Sequence, residues 1–429
     1  MLLFSLGVFL LGYGLAGFLV WLVPEWLLGA PRVLLYRVTD AGPILSAAFT
    51  LLGLGLSLFS LGRIVTSVAL ALVPEGHGPW ASQVLRRRRL ERGPRIVTVG
   101  GGTGLSVLLR GLKKYTRNIT AVVTVADDGG SSGVLRGEMG ILPPGDIRNC
   151  LVALADAEPA MAQLFQHRLR SGHLKGHSLG NLFIGAMTEM SGDFQEAIRL
   201  SSQVLAVRGR VVPATLSPVS LRAFMEDGRV VEGESQIPRA RGKIERVELV
   251  SEREAEPRPV PEALESIEQA DMIVLGPGSL YTSIIPNLLV NQLRESIAGS
   301  EALKVYVCNL MTQPGETDGF SASDHVRALL EISPGLFDVV VVNTGPVPPS
   351  YRDRYGAQGA VPVLPDVRNL RGLGVEVVGE NLLDGGQVIR HRQDLLARLL
   401  MELYVESDRE ARPRRYLRLY WEELWSDGD

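Results

Sequence analysis

The sequence predicts an α/β protein: a mostly parallel sheet covered by helices on both faces, carrying a small antiparallel insertion and preceded by a transmembrane helical hairpin. Three observations predict it. From Pro94 onward short β-branched runs alternate with helical segments, the pattern of a parallel sheet. The stretch "RIVTVGGGTGLSVLLRGLKKY", Arg95 to Tyr115, sets a strand, a glycine loop and a helix in the order used by phosphate-binding sites. Finally, hydrophobic residues make up 46 % of the chain against 21 % charged, and the apolar excess is gathered near the N-terminus, which separates that region from an otherwise ordinary α/β body.

The first run, "LLFSLGVFLLGYGLAGFLVWLV", carries no charge before Glu25 and at about 1.5 Å per residue can cross a hydrocarbon core of about 30 Å. A second run from Pro43 to Gly62 ends at Arg63, whose long side chain can snorkel to the interface. A cleaved signal peptide is the competing reading of the first run, but it lacks a basic n-region and a second span follows. The basic stretch "VLRRRRLERG", Val84 to Gly93, outweighs Arg32 and Arg37 in the connecting loop and so places the body on the cytoplasmic face of the cell membrane. The expected divisions are residues 1–75 for two transmembrane helices, 76–93 for a basic juxtamembrane linker, 94–405 for a nucleotide-binding domain and 406–429 for a charged, amphipathic C-terminal helix that docks on the body, a partner or the membrane. A net charge of −3 leaves no footprint for nucleic acid, and two isolated cysteines, Cys150 and Cys308, exclude a disulfide framework.

Strands are expected at Arg95–Gly100, Ile119–Asp127, Asp271–Gly276, Lys304–Leu310 and Asp338–Asn343, each ending in a polar, glycine-bearing loop. Between the second and third, residues 204–250 alternate around the turn "EDG" and read as the antiparallel insertion.

The loops carry the candidate chemistry. "GGGTG", Gly100, Gly101, Gly102, Thr103 and Gly104, fails the G-x-G-x-x-G pattern because residue 105 is Leu, and fails the Walker pattern for want of G-K-[ST]. Its physics is still that of an anion site: glycines allow close backbone approach, and the next helix offers unpaired N–H groups. A plain tight turn is the alternative. "VADDGGSSG" brings Asp127 and Asp128 to a strand end, followed by Ser131 and Ser132, which suits ribose or sugar hydroxyls or a magnesium ion. In "PPGDIRN", Asp146 reads first as a helix N-cap, beside Asn149. "GHSLGNL" adds His177, read as structural, and Asn181. "GPGSLY", with Gly276, Gly278, Ser279 and Tyr281, repeats the strand, glycine turn and helix, and "CNLMTQPGETDG" contributes Asn309 and Thr312. Two such glycine loops suggest the two walls of one crevice at the carboxyl edge of the sheet.

Taken together, these motifs resemble the YvcK family of gluconeogenesis factors, within the wider CofD-like, 2-phospho-L-lactate transferase superfamily, from about Pro94 to about Leu403. The resemblance implies a Rossmann-like three-layer fold and a nucleotide-linked ligand. For the YvcK branch it implies a UDP-sugar, UDP-N-acetylglucosamine in particular, with roles in cell shape and wall-precursor balance on gluconeogenic carbon sources, regulatory or wall-synthesis partners and a homo-oligomer. The same resemblance makes the glycine loop a phosphate cradle, points Asp127 and Asp128 at the reacting or magnesium-bound part of the site, and links Tyr355 in "RDRYG" and Arg390 in "VIRHR" to UDP-sugar binding. The transferase branch implies a magnesium-dependent transfer of a phospho-acyl group from a nucleoside diphosphate adduct, the alternative function. The N-terminal ninety residues lie outside the motifs of this family.

Overall fold

The structure is a computed structural model that describes residues 2–22, 42–72, 90–156, 159–251, 256–386 and 388–411. Its contacts divide the chain into two compact units, 1–88 and 89–429. Arg86 to Arg89, the basic core of the expected linker, and residues 412–429 lie outside the described residues.

In the first unit, helices Leu2–Leu22 and Pro43–Leu72 pack on each other. Gly7, Gly14 and Gly17 on one helix, and Ser46, Gly53 and Ser60 on the other, are buried in the seam. The seven-residue spacing of Gly7 and Gly14, and of Ser46, Gly53 and Ser60, keeps small residues on one face, so the backbones approach closely. Any side chain at Gly53 would run into the backbone of Leu11, and Tyr13 meets Phe49 edge-on at 5.5 Å. Phe9, Leu51, Leu58 and Phe59 point outward and are exposed, the inverse of a water-soluble pair. Among the described residues the segment Pro43–Arg63 is long and apolar enough to cross a membrane, while the apolar segment Ser5–Phe18 is shorter.

The second unit is built on a seven-stranded sheet in the order β10-β9-β8-β7-β1-β2-β3, with every neighbouring pair parallel. Its strands are β1 (Ile96–Gly100), β2 (Ile119–Val123), β3 (Arg210–Pro213), β7 (Met272–Leu275), β8 (Leu303–Val307), β9 (Val339–Asn343) and β10 (Glu376–Glu380). The five expected strands all form, and the central ones are continuous buried runs such as Val339–Val342, as burial on both faces requires.

Two strands are not legible in the sequence. Arg210–Pro213, expected within the antiparallel insertion, instead extends the main sheet beside β2. β10, with three of its five residues exposed at the sheet edge, lacks the apolar run that marks the others. The insertion proper is the sheet β5-β4-β6, formed by β4 (Val219–Met225), β5 (Val230–Glu232) and β6 (Ile244–Ser251). A hairpin of β11 (Leu383–Gly385) and β12 (Ile389–His391) precedes the last described helix, Gln393–Ala411. That helix runs through the expected boundary at 405, because its apolar side, Leu396, Ala397, Leu400 and Met401, is buried in the core.

Candidate functional site

Sheet order reverses between β1 and β7: one half of the chain winds outward from β1 and the other from β7. Loops after these two strands therefore diverge to opposite faces and leave a crevice at their carboxyl ends. A cleft of about 720 Å³ lies there, lined by Gly101–Gly104, Asp127, Asp146, Glu234, Pro277–Ser279, Asn309–Pro314, Tyr355 and Ile389–His391.

The two glycine loops touch. Gly102 has φ +65°, and a Cβ at Gly104 would stand 2.5 Å from the carbonyl oxygen of Pro277. Asn287, fully buried, ties them from below by donating to the carbonyls of Gly100 at 3.1 Å and Ser283 at 2.7 Å. The helix Gly102–Leu112 has no side-chain cap from the residue before it, and its first N–H, that of Gly102, is taken by the Asp146 carboxyl, while the next N–H groups of the turn have no acceptor within the helix. Across the opening, the Gln313 amide donates to Ser279 Oγ at 2.5 Å and Thr312 pairs with Val361, which fixes the loop after β8 as a third wall.

Asp146 is not an N-cap. Helix Gly145–Leu154 is entered through Pro144, and Asp146 lies inside its first turn with its carboxyl turned toward Gly101 and Gly102. Burial pushes this carboxyl up to about 7, the neighbouring Asp127 carboxylate adds to the rise, and the Gly102 N–H and Arg148 oppose it. Asp127 also lines the cleft and accepts from the Gly129 N–H at 2.8 Å. Asp128 takes another path: it lies outside the cleft lining and accepts from the Ser235 N–H at 2.8 Å, anchoring the insertion. The expected Asp127 and Asp128 pair is thus replaced at the cleft by Asp127 and Asp146. No group of three His, Cys, Asp or Glu side chains among the described residues is arranged to hold a metal ion. Two carboxyls beside a glycine loop at a helix start are nonetheless a set that magnesium uses when ligand phosphates complete its shell.

Other expected site residues are engaged in internal contacts outside the cleft lining. Ser131 meets His177 Nδ1 at 2.9 Å and accepts from Asn181 at 3.1 Å, while Arg148 donates to Ser178, to Asn181 Oδ1 at 2.8 Å and to Asn149 Oδ1 at 2.8 Å. This network, together with the buried Ser132, lies behind the cleft and not in its lining. His177, read in the sequence as structural, is buried in this network. Tyr281 is buried in a π-turn, Leu280–Ile284, packs edge-on with Phe320 at 6.4 Å, and burial pushes its hydroxyl up to about 12. Gly100 and Gly276 sit one residue below the lining, at the strand ends.

Tyr355 and Arg390, distant in sequence from the glycine loops, do reach the cleft. Tyr355, near the end of helix Pro349–Gly356, accepts through its hydroxyl from the Ile389 N–H at 3.0 Å, which seats β12 and so positions Arg390. The Arg390 guanidinium makes no hydrogen bond among the described residues, and the Arg110 guanidinium is lowered by burial first and by Arg390 second. Sequence reasoning missed Glu234 and His391. Glu234 follows β5 in "GES", within the polar run that ends the insertion's hairpin. Burial pushes it up to about 8, with Asp127, Asp146 and Glu316 adding to the rise. His391 is buried beside Arg390 and is held by burial at about 4, hence neutral.

The model of the family "2-phospho-L-lactate transferase CofD" matches residues 96–383. A relative from Nostoc sp. is 48 % identical over 94 % of this chain and 90 % of its own length, a span that must include most of the N-terminal stretch. The gluconeogenesis factor of Bacillus subtilis is 51 % identical over 73 % of this chain and 99 % of its own length. A crystal structure of a UPF0052-family protein from Bacillus halodurans, 48 % identical, covers 72 % of this chain and 99 % of that one with a TM-score of 0.69.

Proposed function

Because the chain belongs to the CofD family and groups there with the gluconeogenesis factors, we propose that it is a nucleotide-sugar-binding regulator, held at the cytoplasmic face of the membrane by its N-terminal hairpin. One observation carries the reading: two glycine loops flanking the switch point share a single cleft with Tyr355 and Arg390. The loop N–H groups and Arg390 suit a diphosphate, and the Tyr355 ring offers a face to a uracil or sugar. About 720 Å³ is room for a UDP-sugar such as UDP-N-acetylglucosamine. Its regulatory output is wall-precursor balance and cell shape during growth on gluconeogenic carbon, through wall-synthesis or regulatory proteins, by a homo-oligomer. The outward apolar faces of the two N-terminal helices and their small-residue seam support the membrane anchor.

A second reading has its own observation, the Asp127 and Asp146 carboxyls beside the cradle. They suit a magnesium ion that would neutralise phosphate charge in a 2-phospho-L-lactate transferase-like reaction, where an acceptor hydroxyl attacks phosphorus and a nucleoside monophosphate leaves. Titration of the detergent-solubilised full chain with UDP-N-acetylglucosamine, UDP and GTP, with and without magnesium, separates the two. Saturable binding of the UDP-sugar without turnover, weakened at least about tenfold by Tyr355→Ala or Arg390→Ala, is the expected result. Magnesium-dependent binding of GTP alone, or turnover of a hydroxyl acceptor, favours the transferase.

A further inference from the structure

Arg390 is carried by a short hairpin whose place is decided by its neighbours. β11 and β12, three residues each, pair with each other and with no other strand among the described residues. A two-stranded ribbon of that size is marginal by itself, and its turn begins with the adjacent glycines Gly385 and Gly386, which leave the backbone there free. Along β12 the side chains alternate: Ile389 and His391 are buried, and Arg390 between them points the other way and is exposed. The base of the hairpin is tied to the body by the Leu382 N–H, which donates to Asn343 Oδ1 at 2.9 Å.

A single turn of helix grips the other end. Tyr351 and Tyr355 stand four residues apart on Pro349–Gly356 and so share one face, their rings partly buried against the core. The Tyr351 hydroxyl donates to the Gly386 carbonyl at 2.6 Å, while the Tyr355 hydroxyl accepts from the Ile389 N–H at 3.0 Å. These bonds land on either side of the turn, Gly386 just beyond β11 and Ile389 at the start of β12, so the ribbon is held at two points. The Arg354 guanidinium lies 5.0 Å from the Tyr351 ring centre and 5.3 Å from that of Tyr355, which braces the pair. Tyr355 lines the cleft and Tyr351 does not.

We propose that Tyr351 is a positioning residue of the ligand site: by fixing the turn of the hairpin, its hydroxyl sets where Arg390 presents its guanidinium to the phosphates of the ligand. The inference rests on the nucleotide-sugar reading above and adds to it a residue outside the cleft lining that acts through Arg390. Tyr355 has two parts, a ring at the cleft and a hydroxyl in the clasp, whereas Tyr351 has the second part alone. An arginine aimed in advance loses less freedom when it binds, so loosening the clasp costs affinity without removing any contact to the ligand.

The test uses the full chain in lipid nanodiscs, titrated with UDP-N-acetylglucosamine as the wild type, Tyr351→Phe, Arg390→Ala and the double variant, together with hydrogen exchange of the ligand-free protein. Tyr351→Phe keeps the ring and removes only the donor. It is expected to weaken binding about threefold to tenfold and to speed exchange in residues 388–391. In the Arg390→Ala background the same change is expected to alter affinity by less than about twofold, because the residue through which it acts is gone. A general structural role would cost as much in that background as in the wild type, and such additivity overturns the proposal. Wild-type affinity in Tyr351→Phe, or unaltered exchange in 388–391, overturns it too, with the nucleotide-sugar reading intact. If the wild-type protein does not bind the UDP-sugar, that reading fails and this inference fails with it.

Discussion

Gly104 stands where the loop after β1 passes the loop after β7, and a Cβ there would come within 2.5 Å of the Pro277 oxygen, which leaves no room for a side chain. Gly104→Ala must therefore part the two loops. The cost is expected to be about 1–3 kcal/mol of stability and a loss of ligand affinity of at least about tenfold. Denaturant unfolding and ligand titration of the variant check both, and unaltered affinity would show that the loop contact does not shape the cradle. At this scale the sequence is informative where chemistry sits on a strand end. Gly101 to Gly104, Asp127, Gly278, Ser279, Asn309 and Thr312 reach the cleft because a parallel sheet brings all its carboxyl ends to one edge. Ser131, Asn149 and Asn181 look the same in sequence, but Asn181 pairs with Ser131 and with Arg148, and Asn149 pairs with Arg148, whose guanidinium burial lowers to about 10. Local composition does not distinguish a polar side chain waiting for a ligand from one already paired.

Three elements far apart in sequence bring carboxyls toward neutrality: the turn after β5 with Glu234, the helix with Asp146, and the loop after β8 with Glu316. Glu316 is 5 % exposed, is pushed by burial up to about 7, and has the Thr282 hydroxyl as partner at 3.3 Å. Its folded value lies above that of the unfolded chain, so the folded state binds the extra proton. The stabilisation from this proton is complete below about pH 4 and is lost as the pH rises through about 7. The melting temperature of the full chain is expected to fall between about pH 5.5 and 8, and Glu316→Gln to flatten part of that slope. An unchanged slope in the variant would place the titration elsewhere. Periodicity makes the central strands legible because both their faces are buried. It misplaces β3 because Arg210–Pro213 is short and adjoins the alternating insertion, and Glu234 and Asp127, which line one cleft, stand about a hundred residues apart with no local pattern to link them.

The whole chain joins two units with different surfaces, one with apolar side chains outside and small residues within, the other an α/β body with a buried core. The relative from Nostoc sp. matches through most of the first unit, whereas the Bacillus relatives match about 72 % of the chain and align at near their full length. The full protein is accordingly expected to stay with the membrane fraction through alkaline carbonate and high salt, and a chain lacking residues 2–72 to be released; extraction of the full protein by carbonate would contradict the anchor. The central claim, that a nucleotide sugar lies across the switch point, is tested most directly by hydrogen exchange of the full chain with and without saturating UDP-N-acetylglucosamine. The account predicts slowed exchange in residues 101–104, 278–284, 309–314 and 388–391 together. Protection confined to the opposite, amino edge of the sheet, or binding that leaves these four segments unchanged, would contradict it.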